Sequence, residues 1–197
     1  MKNYFVFLLL IISFSYLHAQ TVASGYYVTK SNDTITTQIK LPKSIFGSLD
    51  FSRFLFKVDV IDTSNIPNKL KPEDIKSFGF LFEGNTYRFF SQPTITKNNL
   101  RFLEALVLGK KTSIYKFETV TKNGGPLGTF YTFEKADGSY EFFNTGMRNL
   151  DKLKEALKVF YKDYGTVHEV IDSKFKSRMA IKGDIIAIAQ AVNNTKG

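Results

Sequence analysis

This chain of 197 residues has only two histidines, His18 and His168, the residue type suited to proton transfer at neutral pH, and no cysteine. Thiol nucleophiles, thiolate metal sites and disulfide frameworks are therefore excluded. His168 is followed by Glu169 on a predicted helix, where adjacent positions point apart, so Glu169 is badly placed to orient it as a general base. A triad also needs an exposed serine on a G-x-S-x-G elbow; Gly47-Ser48-Leu49-Asp50 lacks the second glycine and the strand–turn–helix setting. His168 reads as a surface or helix-packing residue.

Carboxylate chemistry asks less of a sequence, because glycoside hydrolysis needs only two acids at a controlled separation. Glu73-Asp74 follows Pro72 in a predicted helical turn, where acids favour free backbone amides and so have a structural use. Asp59 and Asp62 fall at a strand end and in a loop; they can bind Ca²⁺ only with further oxygen ligands, and no D-x-D-x-D-G loop occurs. Asn123-Gly124-Gly125-Pro126-Leu127-Gly128 can approach a phosphate but lacks the G-K-[ST] ending and the G-x-G-x-x-G spacing, leaving a hairpin loop. Tyr87-Arg88-Phe89-Phe90 interleaves aromatic and basic residues, as base-stacking surfaces do, yet phenylalanine at alternate strand positions is ordinarily core. No catalytic, cofactor-binding or metal-binding residue is assigned, and no nucleic-acid partner is expected.

Met1-Lys2-Asn3 and the apolar run Tyr4 to Leu17, followed by His18-Ala19-Gln20, have the order of a secretory signal with cleavage after Ala19. The run is shorter than the roughly 20 residues of a transmembrane helix, and no later segment reaches that length. The expected compartment is the periplasm or the exterior, and the absence of cysteine excludes a lipid-anchored route. With 43% hydrophobic and 23% charged residues the remainder is an ordinary globular composition. Lys and Arg exceed Asp and Glu by 27 to 18, which favours acidic partners, although the basic residues are dispersed.

These side chains are placed by two kinds of element. From Gly25 to Phe143, short β-branched and aromatic stretches are separated by turn residues. Tyr26–Thr29 and Ile35–Ile39 form a predicted hairpin across Lys30–Thr34; Phe54 to Val60 alternates as a strand; Asp62–Asn68 is a loop. Strands over Phe78–Phe82, Tyr87–Phe90, Leu100–Leu108 and Ser113–Phe117 follow. Thr121–Gly128 then joins two strands, and Asp137-Gly138 turns Phe130–Phe133 into Tyr140–Phe143. After Gly146 the period becomes 3.6: Leu150, Leu153, Leu157, Phe160, Tyr161 and Tyr164 form a stripe with Asn149 as N-cap and Gly165 as stop. Val167, Val170, Ile171 and Phe175 predict a second helix, and Ile185, Ile188, Ala189 and Val192 a third capped by Asp184. The expected fold is α+β: a signal peptide over 1–19, an antiparallel β domain of about seven to nine strands over 20–145, and a C-terminal tail of about three helices over 146–197.

Gly25-Tyr26-Tyr27-Val28-Thr29, Asn32-Asp33-Thr34-Ile35, Ile39-Lys40 and Lys71-Pro72-Glu73-Asp74-Ile75 together resemble a class of exported proteins from Bacteroidota. In that class an aromatic-aliphatic segment with (G/N)DTI precedes an (S/K)P(D/E)DI turn and a helical tail. Asn32 stands where glycine is usual, a change its tolerance of left-handed φ absorbs. The resemblance implies compartment and lineage, and no mechanism. Asp33-Thr34-Ile35 also resembles the D-[ST]-aliphatic acceptor of O-linked glycans in Bacteroidota, with Thr34 in an exposed turn. The function expected is a non-enzymatic envelope protein that binds a partner protein or surface component. The alternatives are a carboxylate-dependent hydrolase of envelope polymers and, if the many phenylalanines enclose a cavity, a carrier of an apolar ligand.

Overall fold

The computed structural model describes residues 21–44, 48–62, 66–94, 99–120, 126–144 and 150–195. The predicted signal 1–19 with its cleavage site, Gly47, Thr63–Asn65, Thr121–Gly125 and the predicted cap Asn149 lie outside the described residues.

Among the described residues ten strands form one antiparallel sheet: β1 (Val22–Thr29), β2 (Thr34–Lys40), β3 (Val58–Ile61), β4 (Pro67–Leu70), β5 (Ile75–Phe82), β6 (Asn85–Pro93), β7 (Leu100–Val107), β8 (Thr112–Val120), β9 (Pro126–Lys135) and β10 (Tyr140–Asn144). Their order is β10-β9-β8-β7-β6-β5-β1-β2-β3-β4, so the chain meanders everywhere except where β1 lies against β5. The helices α1 (Leu150–Phe160), α2 (Val167–Ser173) and α3 (Ile181–Asn194) follow, giving the α+β class. The strand count exceeds the expected seven to nine. β4 comes from a segment whose turn-forming composition predicts a loop; it is short, outermost in the order and begins with Pro67, which an edge position tolerates.

The predicted strand from Phe54 is also corrected. Phe51–Leu55 is a 3₁₀ turn, started by Asp50, whose carboxylate accepts the Ser52 amide at 3.2 Å, and strand geometry resumes only at Val58. Alternating apolar residues do not reveal that this piece crosses the sheet face. It buries Phe54 against Phe78 and Phe89, ring centroids 5.1 Å away in each case, and leaves Phe56 58% exposed beneath the Arg101 guanidinium. Phe78, stacked on Phe89 at 4.8 Å and edge-on to Phe102 at 5.0 Å, completes an aromatic core whose paired rings stabilise beyond their buried area.

Chain length forces curvature on this end of the sheet. β4 and β5 are separated by three intervening strands, about 19 Å at normal spacing, yet only Lys71–Asp74 connects them, a reach of about 17 Å even fully extended. Lys71–Asp74 is itself a turn, with Asp74 N donating to Lys71 O at 3.0 Å, so the sheet must coil to close the gap. The Pro72 carbonyl pins this corner by accepting from Ser91 Oγ at 2.6 Å and Lys30 Nζ at 3.1 Å.

The predicted turns behave as their chemistry requires. Asn32 sits at φ 77°, Glu83 and Gly84 at 48° and 75°, and Gly138 at 79°. Two successive left-handed residues between β5 and β6 match the right-handed twist of a two-residue hairpin.

The tail covers the other end of the same sheet face. Leu153, Leu157, Val167, Ile171, Ile185 and Ile188 share one buried cluster with Ile114, Tyr131, Phe133 and Phe143. Three boundaries differ from the periodic reading. α1 ends at Phe160, so Tyr161 and Tyr164 lie in the turn beyond it, where the Tyr161 hydroxyl meets Thr112 Oγ1 at 2.8 Å. α2 ends at Ser173, and Phe175 is buried beyond it at φ 58°. Asp184 lies inside the first turn of α3, whose N-cap is Ala180, and accepts the Phe175 amide at 2.8 Å instead. Among the described residues no helix is long and apolar enough to cross a membrane.

Candidate functional site

Register brings Glu104, Lys116 and Glu118 onto the covered face, between the part roofed by the 3₁₀ turn and the part roofed by the helices. Glu104 opposes Lys116 across the β7–β8 ladder, and Glu118 follows Lys116 two residues on, where strand alternation returns to the same face. Lys116 Nζ lies 3.0 Å from Glu104 and 3.1 Å from Glu118. Burial pulls the lysine down, but Glu104 and then Glu118 outweigh it and hold the ammonium above its usual range. Neighbouring Tyr131 is pushed up by burial first; Lys116 opposes this and the two glutamates add to it. The cavity here, closed by Phe51, Leu55, Phe102 and Phe117, measures about 30 Å³. That is room for a water and far below the several hundred Å³ of a small-molecule site. The two carboxylates face each other across an ammonium, which occupies the space a glycosidic bond or attacking water needs.

On the opposite face a smaller polar group gathers around Glu134, which accepts from the Tyr115 hydroxyl at 3.0 Å and from Gln92 Nε2 at 3.5 Å. Burial, then the Glu134 carboxylate, raises Tyr115 well above the ordinary tyrosine range, so it serves as a neutral donor.

An open cleft of about 500 Å³ lies between β10 and α1. Tyr140, Ala156, Val159 and Phe160 give it an apolar lining; Lys135, Lys162 and Glu141 supply its charges. Val159 stands 71% exposed in the last turn of α1, a helix whose Leu153 and Leu157 are buried in the core. Lys135 is held over the Phe160 ring at 4.9 Å and paired with Asp163 at 3.2 Å, which fixes one wall.

The residues singled out in the sequence are scattered. His168 lies on α2 with its Nε2 buried, and among the described residues that nitrogen has no hydrogen-bond partner, from a serine, a carboxylate or any other group. Asp74 accepts the Lys71 amide at 2.8 Å, the structural use expected of that acid pair. Asp62 closes its own loop by accepting the Ile66 amide, and Asp59 Oδ1 lies 3.8 Å from Lys57. Among the described residues no group of three His, Asp or Glu is placed to hold a metal. Phe89 is core and Arg88 exposed, so Tyr87–Phe90 offers no platform of stacked rings. Thr34 is exposed at the start of β2, beside a turn in which Ser31 Oγ donates to Asp33 at 2.6 Å.

Sequence reasoning missed Glu104, Lys116 and Glu118. The one available signal was charge at the buried parity of strands otherwise rich in phenylalanine and tyrosine. It also missed Val159, which is apolar but off the helical stripe. No family model matches the chain, and no curated protein or solved structure matches it either.

Proposed function

We propose that this is an exported, non-enzymatic interaction module of the bacterial envelope that receives a partner polypeptide or surface component in the cleft between β10 and α1. The observation that carries the reading is Val159: a β-branched side chain 71% exposed at a cleft of about 500 Å³ that mixes apolar and charged residues, with Lys135 held in place on its wall. Such a surface gains by being covered, at roughly 25 cal/mol for each Å² removed from water. The placement of acids supports the non-enzymatic part, because Glu104 and Glu118, which share the covered face, are both paired with Lys116. The signal-like order of residues 1–19 and the resemblance to exported Bacteroidota proteins support the compartment.

The test is affinity capture of the tagged mature chain from its native envelope, with mass spectrometry of the proteins and glycans recovered, followed by titration of the purified partner. A partner whose Kd rises at least about tenfold, about 1.4 kcal/mol, on Val159→Asp supports the reading. Recovery of the chain alone, a partner indifferent to Val159→Asp, or turnover of an envelope polymer overturns it.

A further inference from the structure

From the last residue of α2 into the first turn of α3 the chain reads Ser173-Lys174-Phe175-Lys176-Ser177-Arg178-Met179-Ala180-Ile181-Lys182-Gly183, with four basic residues and no acid. Lys176, Arg178 and Lys182 are exposed, and Met179 is 98% exposed, more than any other large apolar residue described. Among the described residues none of the four cations has a carboxylate within 4.0 Å, whereas Lys116, Lys135 and Lys158 all do. The nearest acids in sequence are engaged: Asp172 with Lys158 at 2.6 Å and Asp184 with the Phe175 amide at 2.8 Å.

The segment is also held in place. Phe175, 3% exposed and left-handed at φ 58°, roots one end in the core. Ile181, 4% exposed, roots the other, and Arg178–Ala180 between them is a 3₁₀ turn. A β-carbon-bearing residue at positive φ is retained only where surroundings over-determine it. Here the buried ring and the Asp184 carboxylate do so, and their effect is to present Arg178 and Met179 outward. The ordering cost of docking is thus largely met in the free protein.

We infer that this loop docks the protein on an anionic phospholipid bilayer, with Lys174, Lys176, Arg178 and Lys182 against the headgroups and Met179 inserted between them. Charge complementarity selects an anionic surface, and the protruding thioether favours a bilayer, whose apolar interior lies just beneath the headgroups, over the polar phosphate backbone of nucleic acid. Each basic residue near such a leaflet strengthens partitioning by about fivefold.

The experiment is vesicle sedimentation of the chain from Gln20 onward, which retains every described residue. Phosphatidylcholine vesicles containing about one third phosphatidylglycerol are compared at low salt with phosphatidylcholine alone. Binding to the anionic vesicles alone is expected, weakened about thirtyfold by Lys176→Ser with Arg178→Ser and about fivefold by Met179→Ser. Lys69→Ser with Arg88→Ser removes the same net charge from exposed strand positions and should leave binding within about twofold. All variants are at exposed positions and are checked by circular dichroism. Absence of binding to the anionic vesicles, equal losses in the two double variants, indifference to Met179→Ser, or displacement from vesicles by short duplex DNA each overturns the inference.

Discussion

Replacing Asn193 with alanine tests how the helical tail is fastened to the sheet. Asn193 lies near the end of α3, where its Oδ1 accepts the amides of Lys111 and Thr112 at 2.9 and 3.1 Å and its Nδ2 donates to the Thr112 carbonyl at 2.9 Å. The side-chain amide thereby serves as a strand partner for the first residue of β8, beyond the Val107–Ile114 pair at which the β7–β8 ladder ends. Thr112 is 1% exposed, so truncation strands a buried donor and acceptor. At about 1 kcal/mol per net bond and 1–3 kcal/mol for each group left unpaired, the loss is about 3 kcal/mol once water entering the gap is allowed for. For a domain of this size that lowers Tm by about 10 °C. The same contact makes Gly109 necessary, because a β-carbon there would overlap the Asn193 side chain. Gly109→Ala should destabilise the native chain by more than 1 kcal/mol and cost much less once Asn193 is alanine, a coupling measured by urea unfolding of the four proteins in a double-mutant cycle. Additivity of the two changes, or an Asn193→Ala loss under about 0.5 kcal/mol, refutes the docking argument.

Lys116→Met leaves Glu104 partly buried and facing Glu118 without its cation; we expect a loss of about 1–2 kcal/mol in urea unfolding, after discounting for solvent access, and a smaller loss when Glu104→Gln accompanies it. Phe54→Ala should cost about 3–5 kcal/mol, because the ring fills the centre of the aromatic cluster beneath the 3₁₀ turn; calorimetric Tm checks it. Burial holds both Tyr115 and Tyr161 above the usual tyrosine range, Tyr115 with help from Glu134. Unfolded tyrosines ionise near pH 10, so stability is unaffected below that pH and falls above it, as the unfolded chain releases protons the folded chain retains, by about 1.4 kcal/mol per pH unit for each tyrosine. Alkaline unfolding monitored by tyrosinate absorbance should show these two hydroxyls titrating only with loss of structure.

How much of the molecule could be read from residue order divides by the range of the interaction. The hairpins at Asn32, Gly84 and Gly138 and the change of period after Gly146 rest on local backbone sterics and on side-chain spacing, and these act over a few residues. They were sufficient for an antiparallel sheet followed by three helices. The assignment of Phe51–Leu55 was not local: the same alternation suits a strand or a turn crossing a sheet, and only Phe78 and Phe89 waiting beneath Phe54 decide between them. The tail boundaries failed for the same reason, since Tyr161, Phe175 and Asp184 take their positions from Thr112, the core and one another.

The candidate site shows the division most plainly. Composition alone removed thiol chemistry and left a single histidine beyond the predicted signal, while the spacing of its acids matched no metal loop. What brought Glu104, Lys116 and Glu118 together was ladder register, and what exposed Val159 and Met179 was the way α1 and the α2–α3 loop meet the sheet. Register and docking are long-range properties, fixed by which faces must be buried simultaneously. A residue's neighbours in sequence therefore determine its local conformation, whereas the side chains it finally meets are settled by the fold as a whole.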